Sequence, residues 1–165
     1  MIVSYETKVK ELFHVKRSAG FDLESFLPYR LSVTTNRVSR AFAAHYEQEF
    51  GISIPEWRAI AVLGAFAPLS SNEICERTAM DKAKVSRSIA SLLKRGLIER
   101  EAHDTDQRLI QLTLSKAGRK IPEAIIPRAR AIEAEVTKGL SKADVANLHR
   151  ALDRISARLD EIESD

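Results

Sequence analysis

The sequence predicts a mainly α-helical protein that carries one small β-hairpin, and three observations lead to that class. Apolar residues recur at helical spacing along most of the chain. Serine or aspartate stands immediately before most of these runs, where a side-chain oxygen can cap a helix. One pair of short apolar stretches flanks a polar turn, the pattern of a hairpin. With 165 residues, 44% hydrophobic and 30% charged, the chain can build one proper core, with or without an appended helical arm.

Taken in order, residues 1–22 read as an arm with no clean period, ended by Gly20. From Ser25 to Phe50, apolar residues fall at Leu27, Leu31, Val38, Phe42 and Tyr46, one face of a long first helix closed by Gly51. Pro28 lies in its first turn, where a missing N–H does no harm. Ser53 and Glu56 form a capping box before a second helix, Trp57 to Ala65. Pro68 breaks the chain, and Ser70 with Glu73 caps a third helix that reaches Thr78. Asp81 caps a fourth, Lys82 to Arg95, terminated by Gly96. Leu97–Arg100 and Leu109–Leu114, on either side of Asp104–Gln107, make the hairpin. Ser115 caps a fifth helix running to Lys138, which Pro122 and Pro127 are expected to bend. Ser141 and Asp144 cap a sixth, where Val145, Leu148, Leu152, Ile155, Leu159 and Ile162 are spaced alternately by three and four. That seam, on an otherwise charged helix, needs a partner surface.

The charge is unevenly placed. Between Met80 and Arg100 stand six basic residues against two acidic, whereas from Ser141 onward four basic residues face six acidic. A positive excess in mid-chain is the footprint of a segment that meets a polyanion. No run of eighteen apolar residues occurs, and the first residues mix acidic and basic side chains where a secretory signal would be apolar, so no membrane span is expected. The single cysteine, Cys75, cannot form an internal disulfide, and the reducing cytoplasm is the expected compartment.

A short capped helix, a turn, a basic helix and a hairpin make a winged helix-turn-helix, with the hairpin as the wing. Lys82, Lys84, Val85, Ser86, Arg87 and Ser88 occupy the opening turns of the basic helix, the part of a recognition helix that reaches base edges. Asp106 and Arg108 stand at the wing tip, where the carboxylate can hold the guanidinium extended toward a minor groove. Ser70 and Ser71 open the preceding helix and offer hydroxyls and N–H groups to phosphate. An isolated basic helix face is usually only solvated, and a winged helix can serve purely in protein contacts. The conjunction of basic helix and basic wing points instead to duplex DNA.

These residues also carry a family resemblance. Pro55-Glu56-Trp57-Arg58, Met80-Asp81-Lys82, Ser86-Arg87, Leu93-Lys94-Arg95-Gly96-Leu97-Ile98, Asp106-x-Arg108 and Leu112-Thr113-Leu114-Ser115-x-Ala117-Gly118 make the stretch Ile54–Lys120 resemble the core of the multiple antibiotic resistance regulator (MarR) family. The likeness in helix order extends from about Asp22 to Ile162. It implies a triangular homodimer built on the terminal helices, with two winged domains reading a palindrome. Leu27 and Leu31 of the first helix and Val145, Leu148, Leu152, Ile155 and Leu159 of the last would line that interface. The expected division is an arm (1–22), a dimerisation helix (23–50), the DNA-binding domain (51–115) and C-terminal dimerisation helices (116–165). Many relatives are repressors released by small phenolic ligands, and some respond to oxidants or metals.

The expected function is therefore a sequence-specific transcriptional regulator, a repressor released by a small aromatic ligand wedged among the first, second and fifth helices. A constitutive or architectural DNA-binding protein without an effector is the alternative. Cys75 is expected to be a structural cysteine, because its place in the third helix suits a small apolar side chain and oxidant-sensing relatives carry theirs near helix one. Trp57 is expected in the core. His14, His45, His103 and His149 are too scattered for a metal site, no cofactor is expected, and no nucleophile–base pair, phosphate loop or carboxylate dyad points to an enzyme.

Overall fold

The structure, a computed structural model, describes residues 21–102 and 110–164 and divides the chain into two units, residues 1–39 and 40–165. Its elements are α1 (Leu27–Phe50), α2 (Ile54–Phe66), α3 (Ser71–Thr78), α4 (Lys82–Lys94), β1 (Ile98–Ala102), β2 (Ile110–Leu114), α5 (Lys116–Val136) and α6 (Lys142–Ser164). This is the winged helix-turn-helix arrangement that the sequence predicts.

In the first unit, α1 opens two residues later than expected. Ser25 belongs to a turn in which its hydroxyl donates to the Asp22 carbonyl and the Asp22 carboxylate accepts from the Glu24 N–H. Phe21 packs edge-on against Phe26, ring centroids 5.1 Å apart. Leu27, Tyr29 and Val33 are exposed.

In the second unit, one apolar cluster joins every element except α6. Ala43 and Tyr46 of α1, Ala59, Ile60 and Leu63 of α2, and Ile74 of α3 meet Val85, Ile89 and Leu92 of α4. Ile98, Leu112 and Leu114 of the hairpin and Ile121 and Ile125 of α5 close the same cluster. The spacing of each set follows the period of its element, so one face is buried and the other left to water. The α2 helix starts at Ile54 rather than Trp57, because Ser53 donates its N–H and hydroxyl to the Glu56 carboxylate and so fixes the first turn. The α5 helix continues through Pro122 and Pro127 and ends at Val136, two residues short of the expected Lys138. Strands β1 and β2 pair antiparallel, Ile98 opposite Leu114 and Ala102 opposite Ile110. Leu69 adds an isolated antiparallel bridge to β2 by exchanging both backbone hydrogen bonds with Leu112. Among the described residues no helix is long and apolar enough to cross a membrane.

Candidate nucleic-acid interface

The opening of α4 is prepared by the turn before it. Ala79 adopts a left-handed conformation (φ 50°), Met80 is buried, and Asp81 caps the helix by accepting from the Lys84 N–H at 2.8 Å. A left-handed residue that is not glycine is uncommon, and here it sets the sharp change of direction between α3 and α4. The second oxygen of Asp81 lies 2.9 Å from the Lys84 ammonium. Hydrogen bonds from the Lys84 side chain and backbone hold the Asp81 carboxyl below its usual 3.8. The cap therefore stays anionic and steadies both the helix end and one cation of the candidate surface.

On α4, Val85, Ser88, Ile89 and Leu92 form the inward stripe, and Lys82, Lys84, Ser86 and Arg87 stand exposed on the other side. Two of the side chains expected on the reading face turn inward. Val85 is 1% exposed because it points into the core between α2 and α3. Ser88 is 5% exposed, and its hydroxyl donates back to the Lys84 carbonyl at 2.9 Å. Neither side chain is available to a base edge. Ser70 spends its hydroxyl oxygen as the cap of α3, accepting from the Glu73 N–H, while Glu73 accepts from the Ser70 N–H at 2.7 Å. Ser71, the first helical residue, is exposed. Asp106 and Arg108 lie outside the described residues, so the wing is placed by its strands, with Arg100 and Glu101 exposed on β1.

Beside α4 runs a cleft of about 360 Å³ lined by Ser53, Pro55 and Glu56 of the α2 start and by Lys84, Arg87, Ser88 and Ser91 of α4. Sequence reasoning took Glu56 for a helix cap alone. Its other oxygen accepts from the Ser91 hydroxyl at 2.6 Å and lies 3.7 Å from the Arg95 guanidinium. Burial raises the Glu56 pKa, but the hydrogen bonds from Ser91 and Ser53, with Arg95 nearby, outweigh it and hold the carboxyl below 4.5. Ser91 is 35 residues from Glu56, and no local spacing signals such a pair.

Of the residues expected at a subunit interface, Leu27, Leu148, Leu152 and Leu159 are exposed in the single chain, whereas Leu31, Val145 and Ile155 are half-buried. Trp57 is half-buried against the core and stacks on Tyr46, ring centroids 5.5 Å apart. Cys75 is likewise half-buried against the core. Among the described residues no group of three His, Cys, Asp or Glu side chains could hold a metal ion.

Comparison with known proteins places this geometry among its relatives. A family model described as MarR family matches residues 50–109, from the end of α1 past β1 and stopping before β2. The HTH-type transcriptional regulator TcaR of Staphylococcus aureus (strain Newman) is 27% identical over 126 residues, which span 75% of this chain and 83% of TcaR. A MarR/EmrR family transcriptional regulator from Acinetobacter sp. ADP1 is similar in structure, with a TM-score of 0.78 and 25% identity over 86% of this chain and 99% of that one. A MarR family regulator from Listeria monocytogenes, solved in complex with 26mer DNA, shares the fold at a TM-score of 0.76 and 16% identity, covering 82% of this chain and 90% of its own.

Proposed function

We propose, from the premise that the chain belongs to the MarR family of DNA-binding transcriptional regulators, that it works as a homodimer whose two α4 helices read a pseudo-palindromic operator. The observation that carries this reading is the division of α4 into two faces. Four buried side chains fix the helix to α2 and α3, and Lys82, Lys84, Ser86 and Arg87 stand outward on its opening turns. A helix end also favours phosphate, because its first N–H groups lack intrahelical partners. Ser70 and Ser71 open α3, where they would hold the backbone, and Arg108, its guanidinium held extended by Asp106, would enter the neighbouring minor groove. Arginine on guanine is the commonest specific contact, so Arg87→Ala should cost about 1–3 kcal/mol and relax preference at one position in each half-site. The check is affinity for a panel of duplex variants, drawn from a random pool enriched on the protein, at two salt concentrations. An Arg87→Ala chain that matches the wild type on every variant would overturn the reading.

The finer reading is of a repressor released by a small aromatic ligand. Its support is the family resemblance, which puts the ligand among α1, α2 and α5; the cleft beside α4 is lined by no residue of α1 or α5 and is a different place. The same duplex assay run with aromatic carboxylates and phenols separates this reading from constitutive binding, in which none of them alters affinity.

A further inference from the structure

The contacts of Glu56 exceed what a helix cap requires. One carboxylate oxygen completes the capping box with the Ser53 N–H (2.8 Å) and hydroxyl (2.7 Å). The other receives the Ser91 hydroxyl from the third turn of α4, and Glu56 as a whole is only 8% exposed. Four residues further on, Arg95 donates to the Phe50 carbonyl (2.5 Å) and the Gly51 carbonyl (3.0 Å). These carbonyls end α1, where the helix leaves its last acceptors without intrahelical donors. Arg128 of α5 pairs with Glu49 in that same last turn of α1. One carboxylate and one guanidinium thus fasten α4 to the end of α1 and the start of α2, and α5 is tied to the same turn.

The apolar stripe of α4 does different work. Hydrophobic contact is non-directional, so Val85, Ile89 and Leu92 decide which face of α4 is inward but leave its roll and axial slide weakly determined. Hydrogen bonds are directional, weakening steeply away from a straight donor–acceptor line. Ser91 stands seven residues beyond Lys84, about 10 Å along the helix axis, so a small rotation at the anchor moves the opening turns relative to base edges.

We propose that Glu56, Ser91 and Arg95 form a positioning device for the reading helix, setting the register in which Lys84, Ser86 and Arg87 meet bases without themselves touching DNA. The inference rests on the reading of α4 as the helix that enters the major groove. Losing the device lowers discrimination between sequences, which depends on register, and spares the general attraction to phosphate, which depends on charge.

The test uses the full chain and two probes: duplexes enriched by the wild type from a random-sequence pool, and poly(dI–dC) as unenriched duplex. Ser91→Ala removes one hydrogen bond and no charge, so the fold survives, and a melting curve checks this. The expected result is a roughly three- to tenfold fall in the ratio of enriched to unenriched affinity, the range one net hydrogen bond supports, with an unchanged salt slope. Ser91→Thr, which keeps the hydroxyl, restores the ratio. Glu56→Gln keeps one oxygen for the Ser53 N–H but turns an amide nitrogen toward Ser91 and removes the charge facing Arg95, and it lowers the ratio as well. Folded Ser91→Ala and Glu56→Gln chains that keep the wild-type ratio overturn the proposal. Equal loss on both probes with a shallower salt slope in Arg95→Met also overturns it, since Arg95 would then be a phosphate contact. Should the wild type enrich no duplex at all, the reading of α4 itself fails, and this inference with it.

Discussion

Tyr46 sits 1% exposed in the last turns of α1 with its ring on Trp57, and its phenol is correspondingly hard to ionise. Burial first, then the negative charge of Glu47, push its pKa from 10.0 up to about 12, and Arg58 offsets only part of this. In the unfolded chain the phenol releases its proton near 10, so between pH 10 and 12 the folded state holds a proton that the unfolded state has lost. The stability tied to this group is therefore full below pH 10 and is lost as pH rises through 12. An absorbance titration of the folded protein should resolve a phenol ionising near 12, and Tyr46→Phe should remove that step. A titration in which Tyr46→Phe changes nothing near 12 would contradict the assignment. How much of the site is legible in sequence differs between residues for the same kind of reason. The caps at Ser53, Ser70, Asp81, Ser115 and Ser141 depend on a partner three residues away, and each is visible as a short motif. Glu56 bonds Ser91 and Arg95 bonds Phe50 only because the fold brings distant turns together, and no local pattern records that.

At the scale of elements, the junction of hairpin and α5 is held by backbone packing. The Ser115 N–H donates to the Leu97 carbonyl, its hydroxyl donates to the Gly96 carbonyl at 2.7 Å, and the Gly118 N–H donates to that same hydroxyl. A Cβ on Gly118 would stand 1.9 Å from the Leu97 carbonyl oxygen and 2.9 Å from its carbon, both atoms of the backbone. No rotamer relieves that clash, so Gly118→Ala must push the start of α5 away from the α4–β1 connection. The expected cost is about 1–3 kcal/mol or more, the range of overpacked cores, which is several degrees of melting temperature at roughly 2–4 °C per kcal/mol. Gly64→Ala is the control: its added Cβ meets only the ends of Leu114 and Pro122 at 3.6 and 3.8 Å, inside a helix where alanine is the better residue. Melting curves by circular dichroism should show the first variant lowered and the second unchanged or raised. Equal melting of Gly118→Ala and wild type would refute the account. Sequence periodicity shows α1 to α5 and the hairpin because each buries one face, and it shows α6 through a seam that stays open in the single chain. It is silent on the Leu69 bridge to Leu112 and on the left-handed Ala79, which depend on contacts between elements.

For the whole molecule, the most conspicuous surface is the seam of α6. Leu148, Leu152 and Leu159 are 50%, 39% and 50% exposed, with Ile162 beyond them, on a helix that joins no apolar cluster of the described chain. The 3-4 spacing that makes the seam legible in sequence is the spacing one helix needs to face another. About half of each side chain remains to be buried, worth roughly 1 kcal/mol apiece on the area scale. Association costs about 4–15 kcal/mol in lost translation and rotation, so the four side chains from each copy need further apolar area to hold a dimer firmly. Exposed Val136 and Leu140 could supply part of it. The wild type should therefore sediment at twice the 18.5 kDa chain mass at micromolar concentration, with a melting temperature that rises with concentration. Leu148→Glu with Leu152→Glu places carboxylates where the two seams would meet, and removing them from water unpaired is costly. That variant should sediment at 18.5 kDa, keep its helical signal, and bind a half-site duplex as the wild type does. On the full palindrome it should lose the tenfold or greater advantage, by order of magnitude, that linking two binding heads provides. A wild type that stays at 18.5 kDa, or a double variant that remains dimeric, would show that α6 faces something other than a second copy.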